Sequence, residues 1–198
     1  IGSSLAGAEV SEPPGLGVAA FNSDGFTIDT SNGDHTGSGN INVNSSSYIA
    51  WAWDGGSSTS SNTDGSITTN VRANASAGFS CIGYTGNATV GATIGHGANS
   101  APEWRGFKHR DEAAGNWYVY HKSAGHTKYL TLDRTHAATT HDFLNNTAPT
   151  NSVVTLNNTA EVNATGQGIM CYAWTSVAGY SSFGSFTGNG SAADGPFV

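Results

Sequence analysis

Charge is scarce in this chain. Only 11 % of its 198 residues are Asp, Glu, Lys or Arg, about half the share of an ordinary soluble domain. Basic residues are the scarcer sign: seven Lys and Arg stand against 14 Asp and Glu, for a net charge of −7. No basic stripe exists, so phosphate-driven nucleic-acid binding is not expected. Long apolar runs are missing too, and no stretch suffices to span a bilayer as a helix. The chain opens Ile1-Gly2-Ser3-Ser4. With neither Met nor a basic leader there, no signal peptide is read, and the first residue reads as a cut or processed end. Cysteine is limited to Cys81 and Cys171, too few for a disulfide framework. Each sits in an apolar strand-like run and reads as a small buried hydrophobe; a bridge between the two is the lesser alternative. Helical periodicity is absent, with room for one short helical turn over 135–144 at most.

What is present is β structure. Aromatics make up 10 % of the chain, and apolar runs recur at regular spacing, which disordered chains lack. Residues 18–30 read as strand, turn at Asp24-Gly25, strand. Tyr48–Trp53 is a strong strand, with aromatic and β-branched residues in alternation. Further strands are expected at Phe79–Tyr84, Thr89–Ile94, Glu103–His109, Trp117–His121 and Lys128–Leu132, then around Val153, Val154 and Leu156, and finally at Ile169–Trp174. Turn signals such as Gly86-Asn87, Ala114-Gly115-Asn116 and Asn157-Asn158 separate them. Many short strands at near-regular spacing predict an all-β, antiparallel β-sandwich or jelly-roll-like domain.

The chain also repeats itself. Tyr48-Ile-Ala-Trp-Ala-Trp53 is echoed by Ile169-Met-Cys-Tyr-Ala-Trp174, and Gly78–Asn87 by Tyr180–Gly190. The echo has no constant offset: Trp53 and Trp174 are 121 residues apart, Tyr84 and Phe186 only 102. The difference falls in residues 54–77, a Gly/Ser/Thr/Asn-rich stretch that reads as a loop insertion, which chain entropy tolerates. Self-similarity at a long period signals an array of like units; biased composition is the other account. The expected layout is an extended arm over 1–17, a sandwich over 18–178 with the insertion at 54–77, and the start of a second related repeat or an assembly segment over 179–198. Trp51, Trp53, Trp174, Phe79, Tyr84 and Phe186 are the expected repeat core or repeat-interface residues.

Few constellations carry chemistry. No Gly-x-Ser-x-Gly elbow is present for nucleophilic hydrolysis. The carboxylates Glu103, Asp111, Glu112, Asp133, Asp142 and Glu161 mostly border turns and read as surface acids rather than a glycosidase pair. His121 and His126 are spaced as zinc tolerates, and His96 and His109 add imidazoles, yet no third ligand lies nearby in sequence. The loop Asp29–Asp34 is rich in oxygen donors but departs from the EF-hand spacing. No metal or cofactor is therefore expected, and no enzyme. Trp104, Trp117 and Tyr118 are the candidates for stacking on a sugar ring.

At these residues the chain resembles a known family. Trp51-x-Trp53, Asn62-x-Asp64-Gly65-Ser66-Ile67, Ala77-Gly78-Phe79-Ser80, Tyr84-Thr85-Gly86-Asn87, Gly91-Ala92-Thr93-x-Gly95-His96-Gly97 and Ala101-Pro102 are similar to a repeat domain of large virion proteins from marine tailed bacteriophages. Trp117-x-Val119-Tyr120-His121, Asn146-Thr147-Ala148-Pro149-Thr150 and Gly179–Gly190 continue the match, which covers residues 48–198. Where such proteins follow Pro102 with an apolar strand, this chain has the more polar Glu103-Trp104-Arg105. The resemblance implies a virion-localised structural protein of tail, fibre or capsid surface. It would act by self-assembly and host-surface adhesion, with copies of itself, other virion proteins and a host glycan as partners. It carries no catalytic residues, and it makes His96 and His121 pattern residues held by structural hydrogen bonds. A secreted or virion lectin-like module is the alternative, and a polysaccharide-degrading enzyme a third.

Overall fold

The computed structural model describes residues 17–29, 41–111, 115–191 and 194–195. It is all-β, and the contacts of the described residues divide into a unit ending at Ala52 and a larger one beginning at Trp53. In the first unit β1 (Val18–Asn22) and β2 (Gly25–Ile28) form an antiparallel hairpin closed by Asn22 opposite Gly25. The pair is joined by two residues, the shortest loop that lets antiparallel strands meet. Among the described residues it bonds to no other strand, and the sandwich proper runs from Ser60 to Trp174 rather than from residue 18.

In the larger unit, eight strands form one antiparallel sheet. These are β3 (Ser60–Asn62), β4 (Thr69–Asn74), β5 (Phe79–Thr85), β7 (Trp104–His109), β8 (Tyr118–His121), β9 (Lys128–Thr131), β10 (Thr139–Thr140) and β12 (Gly168–Trp174). Their order across the sheet is β10-β9-β8-β7-β12-β5-β4-β3. The last strand in sequence thus lies at the centre, bonded to β5 on one side and β7 on the other. A second, two-stranded layer of β6 (Thr93–Gly95) and β11 (Val153–Thr155) packs against it. One short helix, α1 (Ala160–Asn163), follows.

The strand period of two sorts the side chains onto two faces. On the inner face lie Val71, Ile82, Cys171 and Phe107 in one row, and Tyr84, Ile169 and His109 in the next. They bury against Ile94, Val154, Leu156, Phe143, Leu144 and Val162 of the covering layer. Buried polar groups pin the layers together. The Tyr84 hydroxyl donates to the Val162 carbonyl at 2.6 Å. Asn163 accepts from the Asn87 N–H at 2.9 Å and donates to the Thr89 carbonyl at 3.1 Å. His109 donates to the Ala160 carbonyl. Each such bond satisfies a group whose burial would otherwise cost about 1–3 kcal/mol.

Several expectations change. Tyr48–Trp53 forms no strand, although its echo Ile169–Trp174 is the central one. The 54–77 stretch is not a plain loop: it supplies β3 and β4, because Thr69, Val71 and Ala73 alternate inward and Val71 joins the core. The expected strand Thr89–Ile94 contracts to Thr93–Gly95, since Thr89–Ala92 turns on itself. The helical turn considered at 135–144 is instead a two-residue strand, Thr139–Thr140. Residues 182–191 contain no strand, so the echo of β5 is not a repeated structure within this chain. The arm over 1–16 and most of the Asp29–Asp34 loop lie outside the described residues.

Candidate functional site

The outer face of the sheet holds a continuous aromatic surface. Its first row, read across β5, β12 and β7, is Phe79, Trp174 and Trp104. The Phe79 and Trp174 rings lie 4.9 Å apart and the Trp104 and Trp174 rings 4.8 Å, the latter edge to face. Trp53 lies over this row, 5.4 Å from Trp174 and 6.1 Å from Phe79. In the second row Tyr172 is flanked by Cys81 and Gly106, and Trp117 stacks on Tyr172 at 5.8 Å. Such tilted and edge-on pairs satisfy the ring quadrupoles and add about 0.5–1.5 kcal/mol beyond area burial.

Gly106 makes the surface possible. A Cβ there would come within 2.6 Å of the Trp104 indole, so the absent side chain is what lets Trp104 lie along the strand. Residues 115–117 fold over the same face further down. There Lys108, fully buried, donates to the Gly115 carbonyl at 2.7 Å. Beside the aromatic rows a cleft of about 400 Å³ is lined by Thr59, Asn70, Arg72, Cys81, Gly83 and Met170, among others. The Arg72 guanidinium at its wall is held by two bonds to the Gly56 carbonyl, at 3.1 and 2.8 Å. Burial raises the Cys81 thiol in the cleft, with Arg72 pulling the other way.

The residues singled out from sequence are partly brought together here. Trp104 lies in the aromatic surface with its ring half-buried. Trp117 is only 7 % exposed, since Tyr172 covers one face of its ring. Tyr118 points the other way, opposite Phe107 and edge-on to Tyr129 at 5.2 Å. Among the expected core residues, Phe79 and Tyr84 are buried and Trp174 half-buried. Trp51, Trp53 and Phe186 are not core: they are 80, 51 and 65 % exposed. Trp51 and Phe186 belong to segments that join no sheet, and Trp53 lies over the outer face instead of within the sandwich. Tyr172 was missed. It shares the strand parity of Trp174, and that alternation was the signal.

The other candidates have structural roles. Glu103 accepts from the Lys122 ammonium at 2.9 Å and from the Ser176 hydroxyl. Burial pushes its carboxyl up, but these two bonds and the Lys122 charge hold it below its ordinary range. Asp133 accepts from the Trp117 N–H at 3.1 Å, and Asp111 from the Gly168 N–H. Asp142 and Glu161 flank His141 at 3.7 and 3.8 Å, while Asp142 also accepts from Asn157. Glu112 lies outside the described residues. His96 donates from Nε2 to the Thr150 carbonyl and accepts at Nδ1 from the Ala98 N–H; His121 accepts from the Ser123 N–H. Among the described residues no three His, Cys, Asp or Glu side chains gather as a metal would need. The cysteines are both free: Cys81 lies opposite Tyr172 and Cys171 opposite Ile82, so they project from opposite faces and no bridge can form.

The chain belongs to a family described only as a domain of unknown function (DUF7483), matched over residues 3–198. No curated protein and no solved structure matches the chain.

Proposed function

We propose that this protein is a non-catalytic structural module of a bacteriophage virion, at a tail, fibre or capsid surface, that works by associating with copies of itself and with other virion proteins. One observation carries the reading. Large apolar side chains are exposed on extended segments outside the closed sandwich, among them Ile49 at 84 %, Trp51 and Phe186. Scattered apolar residues on a surface are ordinary, but runs on extended strand-free chain mark contact surfaces. The motif resemblance supplies the virion setting. The carboxylates' engagement in structural bonds supports a role without catalysis. Size exclusion with light scattering on residues 1–198 tests this: a discrete oligomer is expected, and a monomer at all concentrations overturns it.

A second reading has its own observation. The outer-face surface of Trp53, Trp174 and Trp104 beside an open cleft is the kind of platform on which pyranose rings stack. This reading makes the module a glycan-binding adhesin. A glycan array with the parent chain and Trp104→Ala tests it; a blank array, or equal binding by both, removes it.

A further inference from the structure

The two exposed segments are sequence copies of the two strands that pair at the centre of the sheet. In the sandwich, β5 and β12 run antiparallel with Tyr84 opposite Ile169, Gly83 opposite Met170, Ile82 opposite Cys171, Cys81 opposite Tyr172 and Ser80 opposite Ala173. Aligning Ala52-Trp53 with Ala173-Trp174 makes Tyr48–Ala52 the copy of Ile169–Ala173. Aligning Thr187-Gly188-Asn189 with Thr85-Gly86-Asn87 makes Ser182–Phe186 the copy of Ser80–Tyr84. Within one chain neither copy joins a strand.

We infer that these segments are complementary strands that pair between two copies of the chain, Tyr48–Ala52 of one with Ser182–Phe186 of the next. This rests on the self-association reading and specifies its contact. The register carries over: Tyr48 opposite Phe186, Ile49 opposite Ser185, Ala50 opposite Gly184, Trp51 opposite Phe183 and Ala52 opposite Ser182. Trp51 and Phe183 form a directly opposed aromatic pair, among the stabilising cross-strand combinations. Ala50 and Gly184 replace the bulkier Cys171 and Ile82, so the face that becomes core in the sandwich is here anchored by Tyr48 and Phe186. The ladder stops at Ser182, because Ser181 is already bridged to Val177, and Trp53 stays on its own sandwich's outer face. Each copy presents one strand of each kind, so two copies close a dimer by reciprocal exchange, or successive copies pair head-to-tail into a ring or an open filament. Ladder bonds and side-chain pockets are how strand addition gives both affinity and register.

Single-cysteine chains test the register. In a Cys81→Ser background, chains bearing Ile49→Cys and chains bearing Ser185→Cys are mixed under mild oxidation. A mixed disulfide-linked dimer is expected, and replacing the second partner by Gly184→Cys, one residue out of register and facing the other side, abolishes it. Equal crosslinking of both partners overturns the register, and a disulfide formed inside a doubly substituted chain but never between chains overturns the trans pairing. Phe186→Lys provides a readout independent of crosslinking. It leaves the sandwich itself folded, since Phe186 is exposed in the single chain, and reduces the solution mass to one chain. An oligomer that persists in Phe186→Lys without crosslinks sinks this inference while sparing self-association; a monomeric parent sinks both.

Discussion

The inner and outer faces of the one eight-stranded sheet were built by the same alternation and solve different problems. Inward, Val71, Ile82, Cys171 and Phe107 meet apolar side chains of the covering layer, and every residue in that row is buried. Outward, the same strands carry Phe79, Trp174, Trp104 and Tyr172, rings that pack on aromatic neighbours and, Phe79 apart, stay half-buried. The inner face is held by what it packs against, the outer face mainly by itself. Parity along a strand therefore tells more about a residue's role here than hydrophobicity does.

The contrast is sharpest by truncation. Phe107 is fully buried and edge-on to Phe143 at 6.1 Å, so Phe107→Ala is expected to cost about 3–5 kcal/mol. Trp104→Ala on the outer face is expected to cost about 1–2 kcal/mol, because a half-buried ring removes less area from water. Urea midpoints of the two variants measure this. Equal losses would mean that the outer face is as closed as the inner one and would undo the comparison.

An effect smaller than that of Phe107→Ala separates the pins from the packing. Tyr84→Phe keeps the ring and removes only the hydroxyl that donates to the Val162 carbonyl. Leaving that buried acceptor unpaired is expected to cost about 1–3 kcal/mol. A neutral substitution would show water replacing the bond, and hence a looser joint between the sheet and the 160–163 turn.

Much of this was legible in the sequence and some was not, for identifiable reasons. Apolar patterning located β5, β7, β8, β9 and β12, which turn residues toward the covering layer, and β11, which belongs to that layer and turns Val154 toward the sheet. The same pattern failed at Tyr48–Trp53, since a strand exists only where neighbours accept its hydrogen bonds, and no pattern within a segment encodes its neighbours. The 54–77 stretch looked like a loop from its Ser, Thr and Asn content, yet Val71 and Thr69 had the spacing to face inward. The aromatic surface was half found. Trp104 stands among the stacking candidates, while Phe79 and Trp174 are expected in the core because strand aromatics in a sandwich usually face one. Nothing in the sequence distinguished the buried Arg105 from a surface arginine.

The interior of the sandwich also carries a pH response. Burial holds the His96 imidazole below its ordinary value of 6.5; its bond to the Thr150 carbonyl opposes this, and the Arg105 charge adds to it. The neutral ring is the one that fits, because Nδ1 must accept from the Ala98 N–H. A lowered folded value means that the unfolded chain binds the proton first as pH falls. Its stabilisation is therefore complete above pH 6.5 and is lost as pH falls below that, through the folded value. His96→Gln is expected to flatten this segment of the melting-temperature profile between about pH 7 and 5 relative to the parent. Parallel profiles for parent and variant would place the interior's pH response elsewhere.

The smallest expected effect falls on the residue that most breaks the inner-face rule. Arg105 lies between Ala173 and Tyr120 in an inward row, is completely buried, and has its guanidinium carbon 3.8 Å from the centre of the Tyr120 ring. None of its three guanidinium nitrogens has a hydrogen-bond partner. Burial lowers its pKa to about 10, with Cys171 and Tyr120 acting in the other direction. A buried cation that lacks an anion costs several kcal/mol in desolvation, and a ring face returns about 2 kcal/mol of it. Methionine has a similar length and keeps the packing while removing the charge. Arg105→Met is therefore expected to leave the urea midpoint within about 1 kcal/mol of the parent, or to raise it, as when buried ionic groups elsewhere give way to apolar residues. A loss of about 3 kcal/mol or more would instead match the breaking of a satisfied buried pair. The guanidinium would then have an acceptor in solution, and the inner face would follow its own rule without exception.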